Sequence, residues 1–260
     1  MDAVVAEMTQ RLDKLAGRCS DLAPFALMYR QVSDEVRKSV RAQSYRSPAY
    51  VAHLDSVFAT LYFRALDEWR LGHRDQVPRP WRIAFSSAVS QRVSALGDLL
   101  LGMNAHISRD LPYSLAAVGL QLPDGRDAVP DVLAVNDDIA RSQGPALAGV
   151  ARRFDPRVQD TDQLERAADS QRIGRLKLGK IGDPRRIGDV IAAWRREAVD
   201  NARRLLAARS RIERLRVDTA IDAHATLRAL LIADATSYSA PKRDADARLR
   251  YCRARLRLGS

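Results

Sequence analysis

One short stretch of the chain, residues 102–115, combines polar residues whose types and spacing suit acid–base chemistry. It reads Gly-Met-Asn-Ala-His-Ile-Ser-Arg-Asp-Leu-Pro-Tyr-Ser-Leu. On a helix, His106 and Asp110 lie one turn apart on the same face, because residues four apart are neighbours. A carboxylate at that distance orients an imidazole and raises its pKa, which makes it a better general base. We therefore predict that His106 and Asp110 are catalytic, and the alternative is a satisfied buried pair.

The neighbouring residues refine this prediction. Gly102 and Asp98 continue the same helical row, so Gly102 would leave room for a ligand beside the ring. Asp98 would then add a carboxylate to that face or reach solvent. Asn104 lies about 160° from His106 on an ideal helix. It either binds substrate, if the helix unwinds, or bonds to another helix. Pro112 lacks a backbone donor and is expected to kink or end the helix.

Further polar and aromatic residues are candidates for binding a substrate, and each also has a structural alternative. They are Tyr113, Asn136, Asp137, Trp194, Arg196, Glu197 and Asn201. Asn136 and Asp137 would otherwise cap a helix, and Trp194 would otherwise belong to the core. Arg196, Glu197 and Asn201 would otherwise form a structural polar layer. Arg109 or Arg196 would hold an anionic group of the substrate.

Apolar residues recur at intervals of three and four through most of the chain, which predicts amphipathic helices. The predicted helices cover residues 2–17, 24–43, 48–72, 81–111, 129–142, 189–216 with an extension to 233, and 244–258. Gly144-Pro145 predicts a break, and residues 171–188 predict a mobile loop because glycine and proline interrupt them. No convincing strand is found. We predict one all-α domain over residues 1–260, built as a multi-helix bundle.

The chain is basic, with 43 Lys and Arg against 32 Asp and Glu among 260 residues. Such an excess attracts anions, although it is also typical of a solvated surface. The predicted C-terminal helix carries arginines all around its axis and little besides Tyr251 for base stacking. This arrangement argues against nucleic acid as a partner, and the net charge keeps it as an alternative. Those arginines are Arg243, Arg248, Arg250, Arg253, Arg255 and Arg257.

The sequence also indicates a cellular location and limits the roles that its two cysteines can have. The apolar runs are shorter than the roughly 20 residues that a membrane span needs. No apolar leader segment is found, so we expect a cytoplasmic protein without a membrane partner. Cys19 and Cys252 lie at opposite ends of the chain. They form no CxxC pair, which argues against a cysteine zinc site. A single disulfide between them is possible, although nothing in the sequence supports it.

No cofactor is predicted, because nucleotide-binding glycine motifs are missing. The four histidines form none of the usual metal-binding pairs. A metal site remains an alternative, in which His53 with Asp55 and His106 with Asp110 supply the ligands.

Three segments carry a resemblance to a known family. Residues 102–107 with Asp110-Leu111-Pro112 resemble a signature of an uncharacterised helical family that is common in actinobacteria. Val135-Asn136-Asp137 with Ile139 resembles a second signature. Arg196-Glu197-Ala198 with Asn201-Ala202 resembles a third, which usually has Trp where this chain has Val199. The resemblance implies an α-helical fold and a site at these polar residues, and it implies no activity.

These observations favour a cofactor-independent enzyme that acts on an anionic or polar small molecule. Its class would be cyclase, lyase, isomerase or hydrolase, in specialised metabolism, with His106 and Asp110 moving a proton. The alternatives are a metal-dependent helical hydrolase, a basic protein that binds nucleic acid or an anionic surface, and a helical scaffold without a pocket. No oligomeric state is predicted.

Overall fold

The computed structural model describes residues 1–159 and 184–258, and nearly all of them are helical. The predicted all-α class is therefore confirmed. The α-helices are α1 (Asp2–Ala16), α2 (Ala23–Arg41), α3 (Pro48–Leu71), α4 (Arg79–Val89), α5 (Ala95–Asn104), α6 (Leu111–Val118), α7 (Val129–Arg153), α8 (Pro184–Ala207), α9 (Arg211–Ala235) and α10 (Pro241–Arg257). A π-helical segment (Ala105–Asp110) joins α5 to α6, and a 3-10 turn (Pro156–Gln159) follows α7.

The ends of α3 follow the signals in the sequence. Pro48 lies in its first turn, directly after Ser47. Proline suits that position, since its fixed φ matches the helix and its missing N–H would have no partner there. Gly72 follows the last residue with a φ of 86°. This left-handed conformation, which glycine adopts without strain, ends the helix.

The predicted helix over residues 81–111 is wrong in its length, because the chain breaks between α4 and α5. Gln91 adopts a left-handed φ of 54°. Val93 pairs with Ser237 in an isolated bridge. Ser94 then restarts the helix by accepting a hydrogen bond from the Gly97 N–H at 3.3 Å. Periodic apolar residues on both sides of this turn gave the appearance of one helix.

Two other predicted boundaries differ from the structure. Helix α7 continues through Gly144 and Pro145, which are exposed, so water can satisfy the carbonyl that proline leaves without a donor. The predicted helix from 189 to 233 is two helices, because Ser210 and Glu213 form a capping box that begins α9. Of the predicted mobile loop, residues 171–183 lie outside the described residues, and residues 184–188 belong to α8.

The core lies between α2, α3, α5, the π-helical segment, α7 and α8. In the described part of the chain, the largest fully buried side chain is that of Trp81, on α4. Among the described residues, no helix combines the length and the hydropathy needed to cross a membrane.

Helix α10 is fastened to this core by covalent and ionic contacts. A disulfide joins Cys252 to Cys19, in the turn after α1. The buried guanidinium of Arg248 binds Asp98 at 2.7 Å and Asp21 at 3.2 Å. Asp98 therefore neither reaches solvent nor adds a carboxylate beside His106, as the sequence had suggested. It belongs to the contact between α5 and α10.

Candidate functional site

The π-helical segment places His106 in the interior. The Leu111 N–H donates to the carbonyl of His106, five residues back, so the turn is wider than an α-helical turn. Pro112 lies in the first turn of α6, so it does not end the helix, and the helical geometry is distorted in the π-helical turn before it. Its missing N–H leaves the Ser108 carbonyl without an α-helical donor, and widening the preceding turn accommodates this loss. Such π-helical turns occur frequently at functional sites.

Asp110 fixes the imidazole of His106, as predicted. Nδ1 of His106 lies 3.2 Å from Oδ2 of Asp110. The same carboxyl group accepts hydrogen bonds from Nε1 of Trp81 at 2.7 Å and from Arg109 at 3.1 Å. A carboxylate only accepts, so Nδ1 carries the proton and Nε2 presents a lone pair. That Nε2 is buried and has no hydrogen-bond partner among the described residues.

Aromatic rings surround the imidazole. The ring of Phe58 is stacked on it, with centroids 3.5 Å apart and planes inclined by 5°. The ring of Tyr29 lies at 4.4 Å. Three further rings, at about 6 Å between centroids, complete the enclosure: Phe25, Tyr62 and Trp81. Burial lowers the pKa of His106, and the hydrogen bond to Asp110 opposes this effect without reversing it. The predicted rise in the pKa is therefore wrong, and the imidazole is neutral at pH 7.

His106 lies on the wall of a cavity of about 100 Å³, which is partly open. Asp110 lies behind His106 and does not line it. Most of the lining is apolar: Phe25, Met28, Val32, Val36, Val51, Leu54, Phe58, Leu96, Leu99, Leu100, Met103, Ile107, Leu111, Val135, Ile139, Leu147 and Ile191. An apolar cavity of roughly 150 Å³ is known to hold benzene. This one is smaller but partly open, so it suits part of an apolar body whose remainder extends through the opening.

The few polar residues of the lining are mostly ones that the sequence analysis did not select. They are Tyr29, Asp55, Gln143 and Arg195, in addition to His106. Oδ1 of Asp55 accepts a hydrogen bond from Ser33 at 3.4 Å. Oδ2 of Asp55 and the hydroxyl of Tyr29 are buried without a partner among the described residues. Burial raises the pKa of Asp55 to about 7, against the smaller opposing effect of the Ser33 hydrogen bond. Burial also raises the pKa of Tyr29.

The sequence did contain a signal for two of these residues. Asp55 falls within the apolar stripe Val51, Leu54 and Phe58, so it faces inward with them. Arg195 directly precedes the predicted binding residue Arg196, which is exposed, whereas Arg195 is 4% exposed. Arg195 lies four residues after Ile191 and three before Ala198, so it shares a helix face with these apolar residues and is buried with them. Tyr29 had no comparable signal.

The residues around His106 that were predicted to bind substrate lie outside the cavity. Asn104 donates to the carbonyl of Ala225 on α9 at 2.8 Å, which is the interhelical role considered as its alternative. Tyr113 packs under the guanidinium of Arg109 and beside a small apolar cluster of α8 and α9. The space beside Gly102, which was expected to admit a ligand, is occupied by the ring of Phe25.

On α7, the side chains predicted for the site also do not line the cavity. Asn136 is half-buried and Asp137 is exposed. The buried carboxylate of this segment is Asp138, which accepts hydrogen bonds from Ser39 at 2.6 Å and from Tyr45.

The predicted residues of α8 belong to a second polar cluster. Glu197 binds Nδ1 of His224 at 2.7 Å and Arg228 at 2.9 Å. Arg228 also donates to Oγ of Ser108 at 2.6 Å and lies over the ring of Trp194. Asn201 accepts a hydrogen bond from Arg204. None of these side chains lines the cavity, so the cluster joins α8 and α9 to the π-helical segment.

Metal coordination was the alternative chemistry for His53, Asp55, His106 and Asp110. Within residues 1–159 and 184–258, no three His, Cys, Asp or Glu side chains are grouped closely enough to hold a metal ion. His53 is exposed on α3, whereas Asp55 and His106 line the cavity. The four side chains therefore do not form a common site.

Comparison with known proteins places the chain in a family without assigning an activity. No curated protein matches the sequence, and no solved structure matches it. One family model matches residues 1–235, which include α1 to α9 and the whole cavity. The chain therefore belongs to DUF5995, a family of unknown function.

Proposed function

We propose that the chain is a cofactor-independent enzyme that performs acid–base chemistry on a small molecule with a mainly apolar body. The observation that carries this proposal is the state of His106. Its Nδ1 is fixed by Asp110, while its buried Nε2 lies on the cavity wall without a hydrogen-bond partner in the described residues. A neutral imidazole held in this way is prepared to take a proton from a bound molecule.

The cavity also offers a group that can return a proton. With a pKa of about 7, Asp55 is protonated in a large fraction of molecules at neutral pH. A carboxylic acid kept neutral by burial can act as a general acid. A base and an acid that line the same cavity suit isomerisation, cyclisation and elimination, each of which removes one proton and delivers another. We therefore favour an isomerase, cyclase or lyase over a hydrolase.

The alternatives receive less support from the described residues. A metal-dependent hydrolase would need a cluster of ligands that residues 1–159 and 184–258 do not provide. A binder of nucleic acid would use the exposed arginines of α10, which are Arg243, Arg250, Arg253 and Arg257. Arg248 is buried in ion pairs with Asp98 and Asp21 and is not available. The cavity, with the Nε2 of His106 that lacks a partner among the described residues, would have no role in such binding. We propose a small-molecule substrate rather than a polyanion.

The cellular location bears on the conditions of any assay. A cytoplasmic location stays a prediction, and the disulfide between Cys19 and Cys252 weighs against it. Disulfides persist mainly in oxidising compartments, because cytosolic thiols are kept reduced. Assays should therefore be run without a reductant as well as with one.

The proposal is tested by incubating the protein with a metabolite extract and following gained and lost masses. We expect a conversion that His106→Ala and His106→Gln abolish while helicity is retained. His53→Ala is the matched control, since His53 is exposed outside the cavity, and it should behave as the wild type. A conversion that survives both His106 substitutions would refute the proposed role of His106.

A further inference from the structure

Arg195 is a buried cation on the cavity wall, and the described residues provide no ion-pair partner for it. The residue is 4% exposed, and its NH2 donates to the backbone carbonyl of Val132 at 2.5 Å. Its Nε has no hydrogen-bond partner among the described residues. No carboxylate of those residues lies within 4.0 Å of its guanidinium. One neutral carbonyl is therefore its main polar contact.

Two other arginines that are buried in the described part of the chain show what a guanidinium needs in this interior. Arg228 pairs with Glu197 at 2.9 Å, and Arg248 pairs with Asp98 at 2.7 Å. Burying a charge without a counterion is costly, so proteins pair such charges or leave them for a ligand. Asp138, whose charge also acts on Arg195, is already bound by Arg141, Ser39 and Tyr45. Arg195 thus lacks the pairing that the other two have.

The charge and shape of the cavity limit the anion that Arg195 could hold. Arg195 is the one cationic side chain among the described lining residues, and Asp55 is the one carboxylate there. A phosphate dianion would be poorly neutralised in this setting, whereas a carboxylate carries a single charge. A planar guanidinium also matches a planar carboxylate through two parallel hydrogen bonds. The remaining wall is apolar and suits an aliphatic or aromatic body.

We propose that the cavity binds a small monocarboxylic acid, with the carboxylate on Arg195 and the apolar body against the aliphatic and aromatic wall. This inference names the substrate class of the site proposed above and rests on that site. It replaces Arg109 and Arg196, which the sequence suggested for an anionic group, by Arg195. Neither Arg109 nor Arg196 lines the cavity.

The test compares acids with their neutral amides of nearly equal shape. Three pairs serve as probes: benzoate with benzamide, isovalerate with isovaleramide, and hexanoate with hexanamide. Binding is measured by calorimetry at pH 7.5, without any assay of turnover. We expect at least one acid to bind about tenfold more tightly than its amide, which corresponds to about 1.4 kcal/mol for a charge-assisted contact.

Variants assign this preference to Arg195. Arg195→Met keeps an unbranched apolar stem but removes the charge and the donors, and it should abolish the preference for the acid, whereas Arg195→Lys should retain part of it. Arg196→Met is the matched control on the exposed face of α8 and should bind as the wild type. Circular dichroism checks that each variant is folded. If Arg195→Met does not fold, loss of part of the preference in Arg195→Lys still assigns it to this position.

Two results would overturn the inference: no acid of the series preferred over its amide, or an unchanged preference after substitution of Arg195. The outcome is separable from that of the proposed function. Acid binding that depends on Arg195, without any conversion that depends on His106, would support the ligand class and refute the enzyme. Conversion that depends on His106, without a preference for acids over amides, would support the enzyme and refute the ligand class.

Discussion

Gly102 lies directly against the ring of Phe25, so that α5 and α2 approach more closely than a larger residue would permit. A Cβ at position 102 would lie 2.4 Å from both Cγ and Cδ2 of Phe25. The same ring lines the cavity, and its centroid is 6.1 Å from that of His106. The glycine therefore sets the position of one wall of the candidate site.

Gly102→Ala is expected to destabilise the protein although alanine is the better helix former. The added methyl group must displace Phe25, and overpacking of this kind costs about 1–3 kcal/mol. Urea denaturation measures the loss. Gly188→Ala on α8 is the control, because among the described residues its Cβ would meet Gln143 alone, at 3.9 Å. That substitution should stabilise by about 0.5–1 kcal/mol through helix propensity alone. Equal effects of the two substitutions would contradict the close approach.

The sequence predicted the helical class well because its signals are local. Apolar periodicity gives the existence of a helix, and residues such as Pro48 and Gly72 give its ends. The breaks at Gln91 and before Ser210 were missed, since apolar periodicity continues across both. In the second case the capping box of Ser210 and Glu213 was present in the sequence and was not used.

The site was predicted only where its residues are close in sequence. His106 and Asp110 share one turn, so their contact follows from helical spacing. Asp55 and Arg195 reach the same cavity from α3 and α8, and no local pattern states that these helices meet there. Asp98 was misplaced for the same reason, because its partner Arg248 lies 150 residues away. Contacts between distant segments depend on the packing of the whole bundle.

Reduction of the disulfide between Cys19 and Cys252 is expected to destabilise the fold. The bond closes a loop with a sequence separation of 233 residues. Crosslinks restrict the unfolded chain, and their removal typically costs about 2–4 kcal/mol. Urea denaturation with and without reductant should show this difference, and Cys252→Ser should resemble the reduced wild type.

A double variant, Cys19→Ser with Cys252→Ser, controls for other effects of the reductant and should not respond to it. Mass spectrometry after alkylation of unreduced protein counts free thiols. Two alkylated cysteines, together with denaturation curves that do not depend on reductant, would show that this disulfide does not form.

Glu197 should make the stability of the protein sensitive to acid. Burial raises its pKa, but the hydrogen bond from His224 and the charge of Arg228 outweigh this effect and lower the pKa to about 2. The ordinary pKa of a glutamate in the unfolded chain is about 4.3. The group therefore stabilises the fold fully above about pH 4.3, and this contribution is lost as the pH falls towards 2.

Thermal unfolding between pH 5 and pH 2 measures this contribution. Wild type should lose more stability over that range than Glu197→Gln, which has no carboxylate to protonate. Asp137→Asn, an exposed substitution on α7, should lose as much stability between pH 5 and pH 2 as the wild type does. If Glu197→Gln lost as much stability with falling pH as the wild type, ionisation of the Glu197 carboxylate would not contribute to the stability of the fold.

The central claim is that His106 presents a neutral base to the cavity. Nitrogen NMR of ¹⁵N-histidine-labelled protein tests it most directly, with His106→Gln identifying the signals. In a titration from pH 4 to pH 8, the account predicts a proton on Nδ1 and a lone pair on Nε2 at pH 7, and a pKa below the ordinary value of about 6.5. A proton on Nε2 at pH 7, or a pKa above 6.5, would contradict it, because the nitrogen on the cavity side could not then accept a proton from a substrate.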